Sequence, residues 1–295
     1  MSDLKPKLLL TLLFTVLLCG CSQHTLASRE IVRAVCFGAE NEVCLILEGK
    51  EENDYRSIQG QGDTMAQALD AAQRQLTGQA YYGLMDVAVL PATVDFRQAR
   101  ELGELLYEKA QPAPESAVFS ADWNGDTAAE LYDCLRRMKE PHCGLERLFE
   151  QEDCCFIPLW QQESFGYLLL QQGHTERVIQ PEAASLIAVL CGQSSRVDMT
   201  FANNTANITA DARFSVEPTA QQTLVTVTLR DVKLSALTPA MEERTAQQRL
   251  ADSWQQAFSR YAVLPADPFR LDFFASCRFG AQQKAASPRL SITFE

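Results

Sequence analysis

Ile208-Thr209-Ala210-Asp211-Ala212-Arg213-Phe214-Ser215-Val216 alternates apolar and polar side chains without a break. Successive side chains of a strand point to opposite faces, so this period of two predicts a half-buried β-strand with Ile208, Ala210, Ala212, Phe214 and Val216 on the core side. Just upstream, Val197, Met199 and Phe201 alternate with Asp198 and Thr200, and the polar turn Asn203-Asn204-Thr205 separates the two runs. Downstream, Val225, Val227 and Leu229 make a third strand, and the natural assembly is an antiparallel meander. Thr238-Pro239 followed by Glu242 and Glu243 predicts a helix start, with carboxylates at the positive end of the dipole. Leu250, Trp254, Ala257, Phe258 and Tyr261 then share one helix face. Phe269, Leu271, Phe273, Ala275, Cys277 and Phe279 alternate again and predict another strand, and Leu290, Ile292 and Phe294 predict an edge. Residues 192–295 thus read as a sheet covered on one face by a long helix.

Two further segments precede it, giving up to three small domains of α+β or mixed α/β class. Residues 112–191 form a middle α/β lobe opened by Pro112-Ala113-Pro114. It holds a short strand at Ala117 to Ser120 and a helix capped by Asp126 or Thr127 with Ala128, Leu131, Cys134 and Leu135 inward. A short helix and loop at Gly144 to Gln161, a strand at Gly166 to Leu170, and a helix from Gln180 to Leu190 with Pro181 at its first position complete it. Residues 21–111 form an N-terminal α/β domain. Ile31 to Leu47 reads as one or two strands, and the charged loop Glu48 to Asp54 follows. Thr64 caps a helix carrying Met65, Ala68, Leu69, Ala72 and Leu76, Leu84 to Leu90 is a buried strand, and Asp95 caps a helix with Phe96, Ala99, Leu102 and Leu106 inward.

Residues 1–20 have the form of a signal peptide. Lys5 and Lys7 supply the positive start, and Leu8 to Leu18 is an apolar run too short to span a bilayer, which takes about 20 residues. Leu18-Cys19-Gly20-Cys21 matches a lipoprotein processing site, so Cys21 is expected to be the lipid-modified first residue of the mature chain; the plain alternative is a secretory signal cut near Gly20. The protein is then exported and anchored to the extracytoplasmic face of a membrane. A formal net charge of −12 argues against nucleic acid as a partner and leaves a membrane-protein partner open.

Eight cysteines remain: Cys36, Cys44, Cys134, Cys143, Cys154, Cys155, Cys191 and Cys277. An even count in an exported chain allows disulfides. Several sit where a small apolar residue would fit, so most are expected to be buried free thiols, with at most one or two bridges. His142-Cys143 with Cys154-Cys155 is the one local group resembling metal ligands, and it lacks the spacing of a zinc site. Cys143 with His142 or His174 would be needed for a thiol nucleophile, Gly60-Gln61-Gly62 lacks the third glycine of a dinucleotide loop, and Asp122 to Asp126 starts like a calcium loop but has Thr127 and Asp133 at its sixth and twelfth positions. The reading is therefore non-enzymatic, with no catalytic residue, metal or cofactor and an unknown ligand site.

Arg29-Glu30-Ile31 shortly after a lipobox cysteine, then an apolar strand, Gly60-x-Gly62-x-Thr64-x-x-x-Ala68-Leu69 and Tyr82 to Leu90 together resemble the N-terminal signature of the Ger(x)C family. The likeness continues through Pro158, Gly166 to Leu170, Leu186 to Gly192 and the C-terminal helix into an Asp-containing apolar strand at Asp267 to Phe274. That family comprises the lipoprotein C subunits of spore nutrient-germinant receptors. The resemblance implies a three-domain mixed α/β protein on the outer face of the spore inner membrane, assembled with membrane A and B subunits and carrying no known catalytic residues. The competing expectations are a lipid-anchored solute-binding protein of a transporter, which would want two similar lobes around a cleft, and an exported thiol enzyme.

Overall fold

The computed structural model describes residues 29–51, 54–123, 127–138, 140–161, 164–202, 206–236, 242–280 and 283–295. The expected signal peptide 1–20, Cys21, part of the charged loop before Asp54, the heart of the calcium-like loop at Asn124 to Asp126, the turn Asn203 to Thr205 and the helix start Thr238-Pro239 lie outside these residues.

Arg29–Phe37 (β1) and Glu42–Glu48 (β2) form an antiparallel hairpin in which Cys36 stands opposite Cys44, and Tyr55–Gln61 (β3) extends it. The largely polar β3 escapes a periodicity reading because it is an edge strand and mostly exposed. Thr64 then caps Met65–Gln73 (α1), its Oγ1 accepting from Gln67 N at 3.2 Å. At Gly60 in β3 an added Cβ would lie 2.2 Å from Ala68 O and 2.3 Å from Ala72 N, so this glycine lets α1 pack directly on the strand.

Gln79–Tyr81 (β4) and Val87–Leu90 (β5) pair in turn along one edge of β1, both parallel to it. The strand is thus shorter than the expected Leu84 to Leu90, because Leu84 is an exposed turn residue. Asp95 opens Phe96–Lys109 (α2) with a capping box that Gln98 completes. Ala117–Ala121 (β6) lies parallel to β5, and Ala128–Arg136 (α3) and Arg147–Glu150 (α4) precede Cys154–Gln161 (β7). On α3, Tyr132 is buried and Cys134 is exposed, reversing the expected inward Cys134. The expected loop before Gln161 is in fact β7, whose first six residues are all buried, so no polar alternation marks it. Ser164–Gln171 (β8) and His174–Val178 (β9) close the sheet antiparallel.

The nine strands run β3-β2-β1-β5-β6-β7-β8-β9, with β4 beside β1. Residues on both sides of Pro112-Ala113-Pro114 therefore build one sheet: the prolines sit in the loop of an ordinary crossover from α2 to β6. Helices α1, α2 and α4 bury one face over Val35, Leu45, Leu90, Val118 and Ile157. The opposite face is covered by α3 over Cys36, Val89 and Phe119 at the β1–β6 end.

At the β7–β9 end that face packs on the rest of the chain. Pro181–Leu190 (α5) leads into Arg196–Thr200 (β10), Ala206–Pro218 (β11) and Thr223–Ala236 (β12), the expected meander. Arg289–Phe294 (β13) adds parallel to β12. The helix Glu243–Tyr261 (α6) buries Leu250, Trp254, Ala257, Phe258 and Tyr261 as read from sequence, and Trp254 Nε1 donates to Ser185 Oγ of α5 at 3.0 Å. Leu271–Phe279 (α7) is a helix, correcting the strand expected across Phe269 to Phe279 and across Asp267 to Phe274. Asp267 decides it, its carboxylate accepting from Leu271 N at 2.8 Å and Asp272 N at 2.7 Å in place of an earlier helical turn. The architecture is mixed α+β, with two sheets and seven helices among the described residues.

Candidate functional site

The eight described cysteines are free. Cys36, Cys44, Cys143, Cys154 and Cys155 are buried, Cys191 is half-buried, and Cys134 and Cys277 are exposed. Burial pushes the Cys143 thiol up to about 12, and Arg147 offsets this only in part. A nucleophilic cysteine needs the opposite shift. Among the described residues Cys143 Sγ donates to Gly144 O and Phe156 O, both at 3.9 Å, and to neither histidine; His142 lines a separate groove with Met138 and Pro141, and His174 begins β9 at the far edge of the sheet. Cys154 and Cys155 are adjacent in β7 and face opposite sides, the first with the second sheet and the second with Cys143 under the first. Among the described residues no group of His, Cys, Asp or Glu is placed to hold a metal ion.

The two sheets meet around a cavity of about 210 Å³. Cys155 and Phe156 of β7, the end of α5 through Gln193, Phe214 of β11 and the segment from Pro268 to Phe274 line it, and it opens to solvent on one side. Its walls are aromatic: Phe156 stacks on Phe269 with ring centroids 5.7 Å apart, and Phe214 meets Phe274 edge-on at 6.5 Å. Arg147 and Arg270 line it and share one carboxylate, each Nη1 reaching Glu150 Oε2, at 3.0 and 2.8 Å. Gln193, 4% exposed, donates from Nε2 to Phe156 O at 3.0 Å, which leaves its buried Oε1 without a partner. Asp267 sits behind Arg270; burial pushes its carboxyl up to about 6 against the two backbone N–H groups it accepts. Sequence reading missed this site because its residues are spread from 147 to 274 and converge only through the sheet-to-sheet contact. The one local signal was Asp267 four residues ahead of Leu271, a helix cap rather than part of a strand.

A larger, shallower groove of about 550 Å³ lies where β5 and β6 begin, between Arg33, Asp86, Tyr132 and Arg136. Tyr132 Oη donates to Asp86 at 2.7 Å, and Arg33 pairs with Asp86 and Glu48, so these groups already have partners within the protein. Open α/β sheets bind ligands at the carboxyl ends of their strands, and this groove is at the amino ends.

The geometry defines a two-sheet α+β protein with a junction cavity and several buried free thiols. No family model matches the chain, and no curated protein matches it. Among solved structures it is similar to the crystal structure of the GerBC protein, at 10% identity and a TM-score of 0.52, over 86% of this chain and 92% of that one. The chain has a Ger(x)C-like fold.

Proposed function

We propose that this chain is a lipid-anchored, non-enzymatic C subunit of a spore nutrient-germinant receptor, tethered through Cys21 to the outer face of the inner membrane beside A and B subunits. The observation that carries the reading is the similarity of fold to the GerBC protein over most of both chains. The lipobox around Cys21 and the order of the Ger(x)C-like motifs support it from an independent direction. The two sheets, of nine and four strands among the described residues, are not the two similar lobes that the solute-binding alternative would want, which favours the receptor reading. The raised thiol of Cys143 gives the thiol-enzyme alternative no support.

The test is deletion of the gene, with all its paralogues, in the spore-former that carries it, followed by dipicolinate release on adding nutrients. Release should slow sharply, and reintroducing the wild-type gene should restore it. The Cys21→Ala form should leave the membrane fraction or accumulate as precursor. Normal nutrient germination without any paralogue would overturn the receptor reading, and unchanged acylation of Cys21→Ala would overturn the anchor.

A further inference from the structure

The junction cavity is built unlike the rest of this acidic chain. Its about 210 Å³ exceeds the roughly 150 Å³ of an apolar cavity that holds benzene, which leaves room for a ring and a small polar head. Phe156, Phe214, Phe269 and Phe274 line the cavity with aromatic surface, Phe156 and Phe269 being stacked on each other, and Phe273, 53% exposed, lines it as well. At the same site two guanidiniums share the single carboxylate of Glu150. Asp267, the other carboxylate beside Arg270, gives both its oxygens to the backbone of Leu271 and Asp272. Among the described residues the other N–H groups of Arg147 and Arg270 have no hydrogen-bond partner, on side chains 31% and 29% exposed. A guanidinium fork matches a carboxylate better than any other small head group, because two parallel N–H donors meet two oxygens.

We propose that this cavity binds a small aromatic carboxylate, with its ring among the phenylalanines and its carboxylate on Arg147 and Arg270. The site touches β7 of the first sheet, β11 of the second and the segment leading into α7, so an occupant bridges the two halves of the molecule. Junctions of this kind are where ligand pockets concentrate. The inference stands whether or not the chain is a receptor subunit.

The probe is 4-fluorophenylacetate, followed by fluorine NMR with the full chain held in nanodiscs of zwitterionic lipid and with empty nanodiscs as the blank. The probe signal should broaden in the presence of protein and sharpen when unlabelled phenylacetate is added. Neutral 4-fluorophenylacetamide should bind at least about tenfold more weakly, as should the probe to Arg147→Gln and to Arg270→Gln, since one charge-assisted hydrogen bond is worth roughly that factor. Circular dichroism melting checks that each variant is folded; if Arg270→Gln is not, Arg147→Gln carries the comparison. Equal binding of the neutral amide, undiminished binding by the folded variants, or no broadening at millimolar probe would each overturn the proposal.

Discussion

Replacing Trp254 by alanine tests how the two halves of the molecule are joined. The side chain is fully buried between α6 and α5 and belongs to the cluster that joins Cys154, Phe156, Tyr167 and Leu169 of the first sheet to Val197, Ile208 and Val225 of the second. Truncating a buried Trp or Phe to Ala costs about 3 to 5 kcal/mol, from lost transfer energy plus the cavity left behind. Ser185 Oγ loses its donor but still donates to Glu182 O at 2.8 Å, so the orphaned-group penalty is small and about 4 kcal/mol is expected. Trp254→Phe keeps most of the ring contact and gives up the indole N–H, and its cost should be about 1 to 2 kcal/mol. The first loss is a large share of the roughly 5 to 15 kcal/mol of a folded domain. The chain has three tryptophans, so the variant retains Trp123 and Trp160 as reporters placed in the first sheet's half. Trp123 Nε1 donates to Phe37 O at 2.8 Å, far from the substitution in the fold. Urea unfolding followed by far-ultraviolet circular dichroism and by the fluorescence of these two residues should shift together. A cost below about 1 kcal/mol would refute the packing argument, and a fluorescence midpoint that stays put while the dichroism midpoint falls would refute the coupling of the two halves through this cluster.

The Arg29-Glu30-Ile31 motif has a structural explanation that can be checked. Glu30 accepts from Thr77 N at 2.8 Å, from Thr77 Oγ1 and from Gly78 N at 3.0 Å, and pairs with Arg56. Burial alone would raise its carboxyl, but these donors together hold it below the ordinary value. A depressed folded value means stability that is present above the unfolded pKa of about 4.3 and lost as pH falls through the folded one. Glu30→Gln should therefore cost about 2 kcal/mol at pH 7, with the gap to wild type closing as pH falls through the depressed folded value; a gap independent of pH counts against it. Gly60→Ala should destabilise by about 1 to 3 kcal/mol, because the new Cβ meets the α1 backbone, and an unchanged denaturation midpoint would contradict that contact. Alkylation of the native chain at pH 8, mapped by mass spectrometry, should modify Cys134 and Cys277 and spare Cys143 until the chain is unfolded. Rapid native labelling of Cys143 would show its thiol to be neither buried nor raised.

Local signals in this sequence were readable where the structure is local. The alternation of β11, the helix cap at Asp95 and the apolar face of α6 each depend on neighbours within a few turns or one strand, and each is where the pattern puts it. Strand order is different, because the pairing of β5 with β6 and of β6 with β7 is a long-range property that no window reports. Pro112-Ala113-Pro114 therefore looks like a boundary and lies between neighbouring strands of one sheet. β7 was hidden for a further reason, since a strand buried on both faces shows an unbroken apolar run and this one includes Pro158.

The segment Phe269 to Phe279 shows why period alone can mislead about a site. Its apolar residues satisfy a spacing of two, yet Leu271 and Ala275, four apart, are the ones the helix buries. Three neighbouring features favour the helix. Asp267 accepts the first backbone N–H groups, Arg270 takes a left-handed conformation at φ 58° that breaks an extended chain, and Gly280 at φ 99° follows the last turn. Glycine is the residue that adopts such a conformation at least cost, and it commonly stands just after a helix. The consequence reaches the cavity. On a strand Phe273 and Phe274 would face opposite sides of a sheet, whereas the first turns of α7 set both of them along the cavity, with Phe274 against Phe214 and Phe273 beneath the Arg270 guanidinium at 4.9 Å. The pairing of aromatic wall and cationic rim thus follows from a helix cap, and replacing Asp267 should loosen the cavity before it disturbs either sheet.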